Sequence, residues 1–165
     1  MRIAEFDALP ADAAAELVRQ CAGIPSFVST LVAGRPHGSV DQLLAAARSQ
    51  AAAWTDAEVA AALADHPRIG ERPTGDGAGA ALSSREQAGV DPADADLRGR
   101  LAEGNRRYEE RFGRIYLVRA AGRTGPELLE LLEQRLTHDP ATELEVTRAQ
   151  LAEIALLRLE GLVTS

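Results

Sequence analysis

The sequence has a single cysteine, Cys21, which excludes a disulfide within the chain and any metal site built from several thiolates. Long apolar runs are also missing. No stretch approaches the roughly 20 consecutive apolar residues that a bilayer-spanning helix needs. Met1-Arg2-Ile3 leads at once into acidic residues, unlike a signal or transit peptide, and Val163-Thr164-Ser165 is not a peroxisomal tripeptide of the Ser-Lys-Leu type. The expectation is a cytoplasmic protein with no membrane partner. Positive charge is in short supply, with 18 Lys and Arg against 25 Asp and Glu, a net charge of −7 and a pI near 5.0. A nucleic-acid binder needs the opposite field to offset phosphate repulsion. Apolar residues alternating with a period of two, the mark of a half-buried strand, are not found either.

The chain is rich in helically spaced apolar residues. At 165 residues, 45% apolar and 26% charged, it has the composition of a globular protein long enough to bury a core. The expected fold is all-α: a single domain over residues 1–165, a bundle of about eight helices. Asp7 is read as the cap of a first helix through Leu9, Ala13, Leu17, Val18 and Cys21. A short apolar segment at Phe27, Val28, Leu31 and Val32 ends at Gly34 and Pro36. Ser39 opens a helix through Leu43, Leu44, Ala47 and Trp54. Asp56 is read as the cap of the next, which stops at His66-Pro67 because the residue before proline avoids helical backbone angles. Helices resume at Ser83, near residue 94 and around Thr124–Glu127, and the last runs from about 141 to 163. Phe112–Val118 would have no partner as a strand, so it is read as a short helix or an extended connector. Residues 67–82 form the one long irregular stretch, and loops of that length in compact domains are often functional.

Three residues stand out for chemistry. On a wheel laid over residues 144–163, Leu144, Leu151, Ile154, Ala155 and Leu162 share one apolar arc, and Arg158 falls within it, opposite Glu153 and Glu160. An arginine there requires an anionic or carbonyl partner; a structural ion pair or a snorkelling stem is the commoner reason for one. His66, at a helix end and stiffened by Pro67, suits acid–base work, although helix-terminal histidines more often serve the helix dipole. Glu86 closes the S-x-x-E pattern of Ser83-Ser84-Arg85-Glu86, a capping box, and a first-turn carboxylate is also a ready acceptor for ligand N–H groups. His37 and His138 are read as solvated loop histidines. Asn105 and Tyr108, on one stripe with Leu101 and Phe112, are read as buried hydrogen-bonding groups.

Several catalytic signatures are absent. The glycines at 75, 77 and 79 lack the strand and the Lys-Ser/Thr ending of a phosphate loop. No serine sits in a G-x-S-x-G setting, and no His, Asp or Glu spacing suggests a metal site.

Four segments in order carry a family resemblance. His66-Pro67-Arg68-Ile69-Gly70 resembles the HP-[RD]-[IL]-G signature of 2-oxo-4-hydroxy-4-carboxy-5-ureidoimidazoline (OHCU) decarboxylases. Ser83-x-x-Glu86-Gln87-x-Gly89 is similar to that family's S-x-x-E-Q segment. Asn105-x-x-Tyr108-x-x-x-Phe112-Gly113 is similar to its N-x-x-Y-x-x-x-F-G element, and Glu153-Ile154-Ala155-x-x-Arg158-Leu159 to its closing helix. Leu136–Asp139 echoes an R-L-x-N-D turn. The resemblance implies an all-α homodimer without metal or organic cofactor, acting on a small ureide. It implies His66 as the catalytic acid–base group and Glu86 and Arg158 as substrate holders. Pro67, Ser83 and Gln87 would line the site, and the backbone near Ile115 and Leu117 would contact the ligand. Arg114 stands where the family has an aromatic residue. Two other readings compete: a non-catalytic helical interaction module, and hydrolysis of 5-hydroxyisourate. The latter activity belongs to a β-rich family whose terminal Y-R-G-S is missing here.

Overall fold

The computed structural model describes residues 1–64, 66–71, 82–83, 85–91 and 93–165. Among these the structure is helical, without a strand; an isolated parallel bridge joins Arg2 and Thr164. The named helices are α1 (Ile3–Ala8), α2 (Ala11–Cys21), α3 (Pro25–Ala33), α4 (Val40–Ala52), α5 (Asp56–Leu63), α6 (Ala95–Phe112), α7 (Gly125–Arg135) and α8 (Pro140–Leu162). The all-α expectation holds. The chain forms two compact units, Met1–Ala62 with Leu151–Ser165, and Leu63–Gln150.

In the first unit the single opening helix expected from sequence is two. Pro10 cannot continue a helix interior, so α1 stops at Ala8 and α2 starts at Ala11. Asp7 therefore lies inside α1 and is not a cap. Its carboxylate instead accepts from the backbone N–H groups of His37 and Gly38, both at 3.0 Å. This corrects the reading of His37 as well. The residue is 7% exposed, its Nε2 lies 2.9 Å from the Leu31 carbonyl and its ring stacks near Phe6. Ser39 caps α4 as expected, accepting from Gln42 N–H at 3.2 Å. The cap of α5 is Thr55, one residue earlier than expected: Thr55 Oγ1 accepts from Glu58 N–H at 3.2 Å, and Glu58 reaches back to Thr55 N–H at 2.9 Å. Phe27 and Trp54 meet edge to face in this unit.

In the second unit, α6 and α7 pack against each other over Leu97, Leu101, Tyr108, Leu128 and Leu132. Asp94 caps α6, and Thr124 with Glu127 forms a capping box on α7. Between them, residues 115–120 run as an extended connector, not a helix, and bury Tyr116, Leu117, Val118 and Ala120. Gly89 lies against the start of α7, where a Cβ would meet the Arg123 carbonyl oxygen at 2.0 Å; only glycine fits.

Along α8 the buried line is Glu143, Thr147, Leu151, Ala155 and Leu159, with Ile154 beside it; Leu144 and Leu162 are only half-buried. Glu153 and Glu160 are exposed, as expected.

Candidate functional site

His66 follows the end of α5, and its N–H donates to the Leu63 carbonyl at 3.2 Å. The next residues are held from two sides. From α6, Glu109 takes the Arg68 guanidinium in a two-pronged contact (Nε–Oε1 2.5 Å, Nη2–Oε2 2.9 Å), and Asn105 Nδ2 donates to the Ile69 carbonyl at 2.9 Å. Asn105 and Glu109 are four residues apart and so share a helix face. The Arg68 hydrogen bond, reinforced by its charge and only partly opposed by burial, holds the Glu109 carboxyl below the usual carboxylate range.

The second hold is Gln87. Its Oε1 accepts from Gly70 N–H at 3.0 Å and its Nε2 donates to the Arg68 carbonyl at 3.3 Å. Gly70 has φ +86°, a left-handed conformation that L side chains resist, so the turn ending the HPRIG run requires glycine. His66 and Pro67, both half-buried, thus sit on a stretch fixed by an amide, a second amide and an ion pair.

The turn that supplies Gln87 also carries Ser83 and Glu86. Ser83 is buried and its carbonyl accepts from Gln87 N–H at 3.1 Å; Glu86 is half-buried. Leu82 and Ser83 are helical at the start of this turn. The glycines at 75, 77 and 79 lie outside the described residues.

The structure brings the His66–Gly70 stretch and the Gln87 turn together in the second unit, and the connector with Ile115 and Leu117 belongs to the same unit. Ile115 is half-buried, and its backbone groups make no hydrogen bond among the described residues. The Leu117 carbonyl accepts from Arg135 Nη1 at 2.5 Å. Beside them, Arg114 places its guanidinium 5.7 Å from the Phe112 ring centroid, with Nε and Nη2 buried and without a hydrogen-bond acceptor among the described residues. Arg158 is in the first unit. It is half-buried on α8, and its Nη1 donates to the Gln20 carbonyl at 3.4 Å.

One cluster was not anticipated from the sequence. Arg135 and Glu143, 4% and 0% exposed, form a buried ion pair with Tyr108, Thr147 and His138 around it. His138 Nδ1 lies 2.9 Å from Glu143 Oε2, so it is a partnered residue and not a solvated one. A wheel beginning at residue 144 starts one position past Glu143. The available signal was a pair of charges, Arg135 at the head of the R-L-x-N-D echo and Glu143 beyond its end. Among the described residues no three His, Cys, Asp or Glu side chains cluster closely enough to hold a metal ion.

The model of the OHCU decarboxylase family matches residues 7–160. The chain belongs to the OHCU decarboxylase family. Relatives include the uric acid degradation bifunctional protein TTL of Arabidopsis thaliana, 33% identical over 105 residues, which cover 61% of this chain and 32% of that protein. The 2-oxo-4-hydroxy-4-carboxy-5-ureidoimidazoline decarboxylase of Mus musculus is 34% identical over 100 residues, 59% of this chain and 56% of the relative. That of Amia calva is 33% identical over 100 residues, covering 59% and 57%. The matches thus span about a third to just over half of these relatives. Among solved structures, OHCU decarboxylase crystallised in the presence of (S)-allantoin superposes with a TM-score of 0.73 at 27% identity, over 87% of this chain and 94% of that one. An (S)-allantoin synthase structure shares the fold with a TM-score of 0.73 at 17% identity, over 99% of this chain and 54% of that one.

Proposed function

We propose that this family member decarboxylates 2-oxo-4-hydroxy-4-carboxy-5-ureidoimidazoline to (S)-allantoin, the last step in the oxidation of urate to allantoin. In this reading residues 1–165 function as one decarboxylase domain in a cytoplasmic homodimer. The observation that carries it is the family match over residues 7–160, joined to the likeness to a decarboxylase crystallised with (S)-allantoin. The hold on His66–Gly70 by Gln87, Asn105 and Glu109 supports it from the geometry, because a catalytic imidazole works only from a fixed position.

The substrate carries its carboxylate on a carbon next to a ring C=N bond. When the bond to the carboxyl carbon breaks, CO2 leaves, a C=C bond forms to the ureido-bearing carbon, and the C=N pair moves to the ring nitrogen, which takes a proton. The resulting enol then gives up its hydroxyl proton to become a carbonyl as the ureido-bearing carbon gains a proton. The substrate is its own electron sink. The protein has to orient the carboxylate, stabilise the shifting charge and deliver one proton to one face. His66 fits the acid–base role at the hydroxyl and carboxylate end, since an imidazole can both accept and give a proton near neutral pH. Glu86 would accept the ring or ureido N–H groups. Arg158 would grip an oxyanion or carbonyl with its two-pronged guanidinium. Pro67 and Ser83 would line the pocket, Gln87 would offer the N–H it does not spend on Arg68, and Ile115 and Leu117 would contribute main-chain groups.

The test follows freshly generated substrate by circular dichroism, with wild-type protein, with a His66→Asn variant and without protein. Wild type should speed the decay and yield optically active allantoin. His66→Asn, folded to the same extent, should be slower by roughly two to four powers of ten. An unchanged decay giving racemic product with wild type would refute the assignment, and wild-type rates in the variant would remove His66 from the mechanism.

A further inference from the structure

An extended connector with no neighbouring strand has to satisfy its backbone groups some other way. In residues 115–120 the Arg119 N–H donates to Gln150 Oε1 at 2.9 Å and the Arg119 carbonyl accepts from Arg123 Nη1 at 3.0 Å. Two residues earlier, the Leu117 carbonyl takes Arg135 Nη1 at 2.5 Å. Arg135 is therefore the hold nearest to Ile115.

That hold is rigid. Arg135 Nε donates to Glu143 Oε1 at 2.7 Å, and Nη2 donates to Thr147 Oγ1 at 3.1 Å and to Tyr108 OH at 3.4 Å. The guanidinium carbon lies 4.9 Å from the centroid of the Tyr116 ring, while Tyr116 OH donates to the Leu128 carbonyl at 3.2 Å. Glu143 is fixed in turn by Tyr108 OH at 2.5 Å and His138 Nδ1 at 2.9 Å, and Thr147 by the Glu143 carbonyl at 2.8 Å. The guanidinium cannot turn without breaking several contacts together. Buried ion pairs are often no more stabilising than apolar residues of the same volume. What an apolar replacement could not supply is a donor aimed at one main-chain carbonyl.

We propose that Arg135 is a positioning residue for the substrate site: by fixing the Leu117 carbonyl and the Tyr116 ring it sets the register in which the Ile115–Leu117 backbone meets the ureide. This rests on the decarboxylase reading and on the main-chain contacts proposed there. The geometry assigns Arg135 no contact with the reacting atoms.

Arg135→Lys keeps the charge but loses the planar fork, and one ammonium cannot reproduce donors aimed in three directions. Thr147→Val removes one of the fork's acceptors and leaves the guanidinium in place. Each variant is assayed well below its thermal midpoint, recording kcat, KM and the enantiomeric excess of the allantoin formed. For Arg135→Lys the expected result is a KM raised about tenfold or more and a lower enantiomeric excess, with smaller changes of the same sign in Thr147→Val. A merely structural role would lower the thermal midpoint and leave KM and enantiomeric excess of the folded protein at wild-type values; that result overturns the proposal. Should Arg135→Lys fail to fold, Thr147→Val decides by the same criterion. An inactive wild-type protein would instead bring down the decarboxylase reading, and this inference with it.

Discussion

Two arginines on either side of the connector show how differently one side chain can be used. Arg135 has an acceptor for each of its guanidinium nitrogens, whereas Arg114 buries Nε and Nη2 with no acceptor among the described residues and rests on Phe112. Buried donors without acceptors cost about 1–3 kcal/mol, and the contact with Phe112 returns roughly 0.5–1 kcal/mol. Methionine keeps the unbranched length and still packs on the ring. Arg114→Met should therefore stabilise the protein by about 1 kcal/mol, which for a chain of this size is a rise of roughly 2–4 °C in thermal midpoint. A urea titration reads it directly: the midpoint should rise with an unchanged slope. A clear loss of stability would mean that the guanidinium has an acceptor in solution.

At the scale of elements, α6 works as a rail for the His66–Gly70 stretch, since Asn105 and Glu109 hold Ile69 and Arg68 from one face. Asn105→Ala frees the Ile69 carbonyl without touching any group proposed to meet substrate. The expected result is a fall in kcat/KM of roughly tenfold, because small misplacements of a positioned group are costly. Faster exchange of the Gly70 amide should accompany it. Full activity in a variant whose Gly70 amide exchanges faster would show that the His66 turn tolerates slack. The sequence made part of this element legible. Helical periodicity placed Asn105 and Tyr108 on a buried stripe, while α5 ends at Leu63, short of the His66-Pro67 stop read from the sequence. It did not show what Asn105 binds, because Ile69 lies 36 residues away and a side-chain-to-carbonyl bond leaves no periodic trace. The same holds for Asp7 and His37, 30 residues apart, which pattern reading took for a helix cap and a solvated ring. His66, Glu86 and Arg158 were picked out because each is a polar residue at a marked position, a helix end, a first turn or an apolar arc. Glu143 lies outside the apolar arc that begins at Leu144, and its partner Arg135 is on another helix, so no periodic pattern links the two.

Over the whole molecule, the carboxylates Glu5, Glu58, Glu103, Glu109, Glu127, Asp139 and Glu143 are all held below their ordinary range. For Glu143 burial pushes the carboxyl up, but hydrogen bonds from Arg135 and Tyr108, with the charge of Arg135, outweigh it. A carboxyl that titrates lower in the folded than in the unfolded chain binds fewer protons when folded, so acid favours unfolding. The stabilisation is complete above the unfolded value, near 4.5 for a glutamate, and is lost as pH falls through the lower folded value. The thermal midpoint should accordingly be level from about pH 6 upward and drop below about pH 4.5. Most of these carboxylates are exposed, where screening by water and salt leaves little energy in each pair; Glu143 is not. Removing its charge leaves Arg135 buried and unpaired, at roughly 3–5 kcal/mol. Glu143→Gln should lower the midpoint at pH 7 by about 10 °C and flatten the descent in acid, since the variant has already lost what protonation takes from the wild type. The two melting curves, measured from pH 7 to pH 3, should therefore converge. Parallel curves would place the acid sensitivity in the exposed carboxylates, and added salt at pH 3 would then change it strongly.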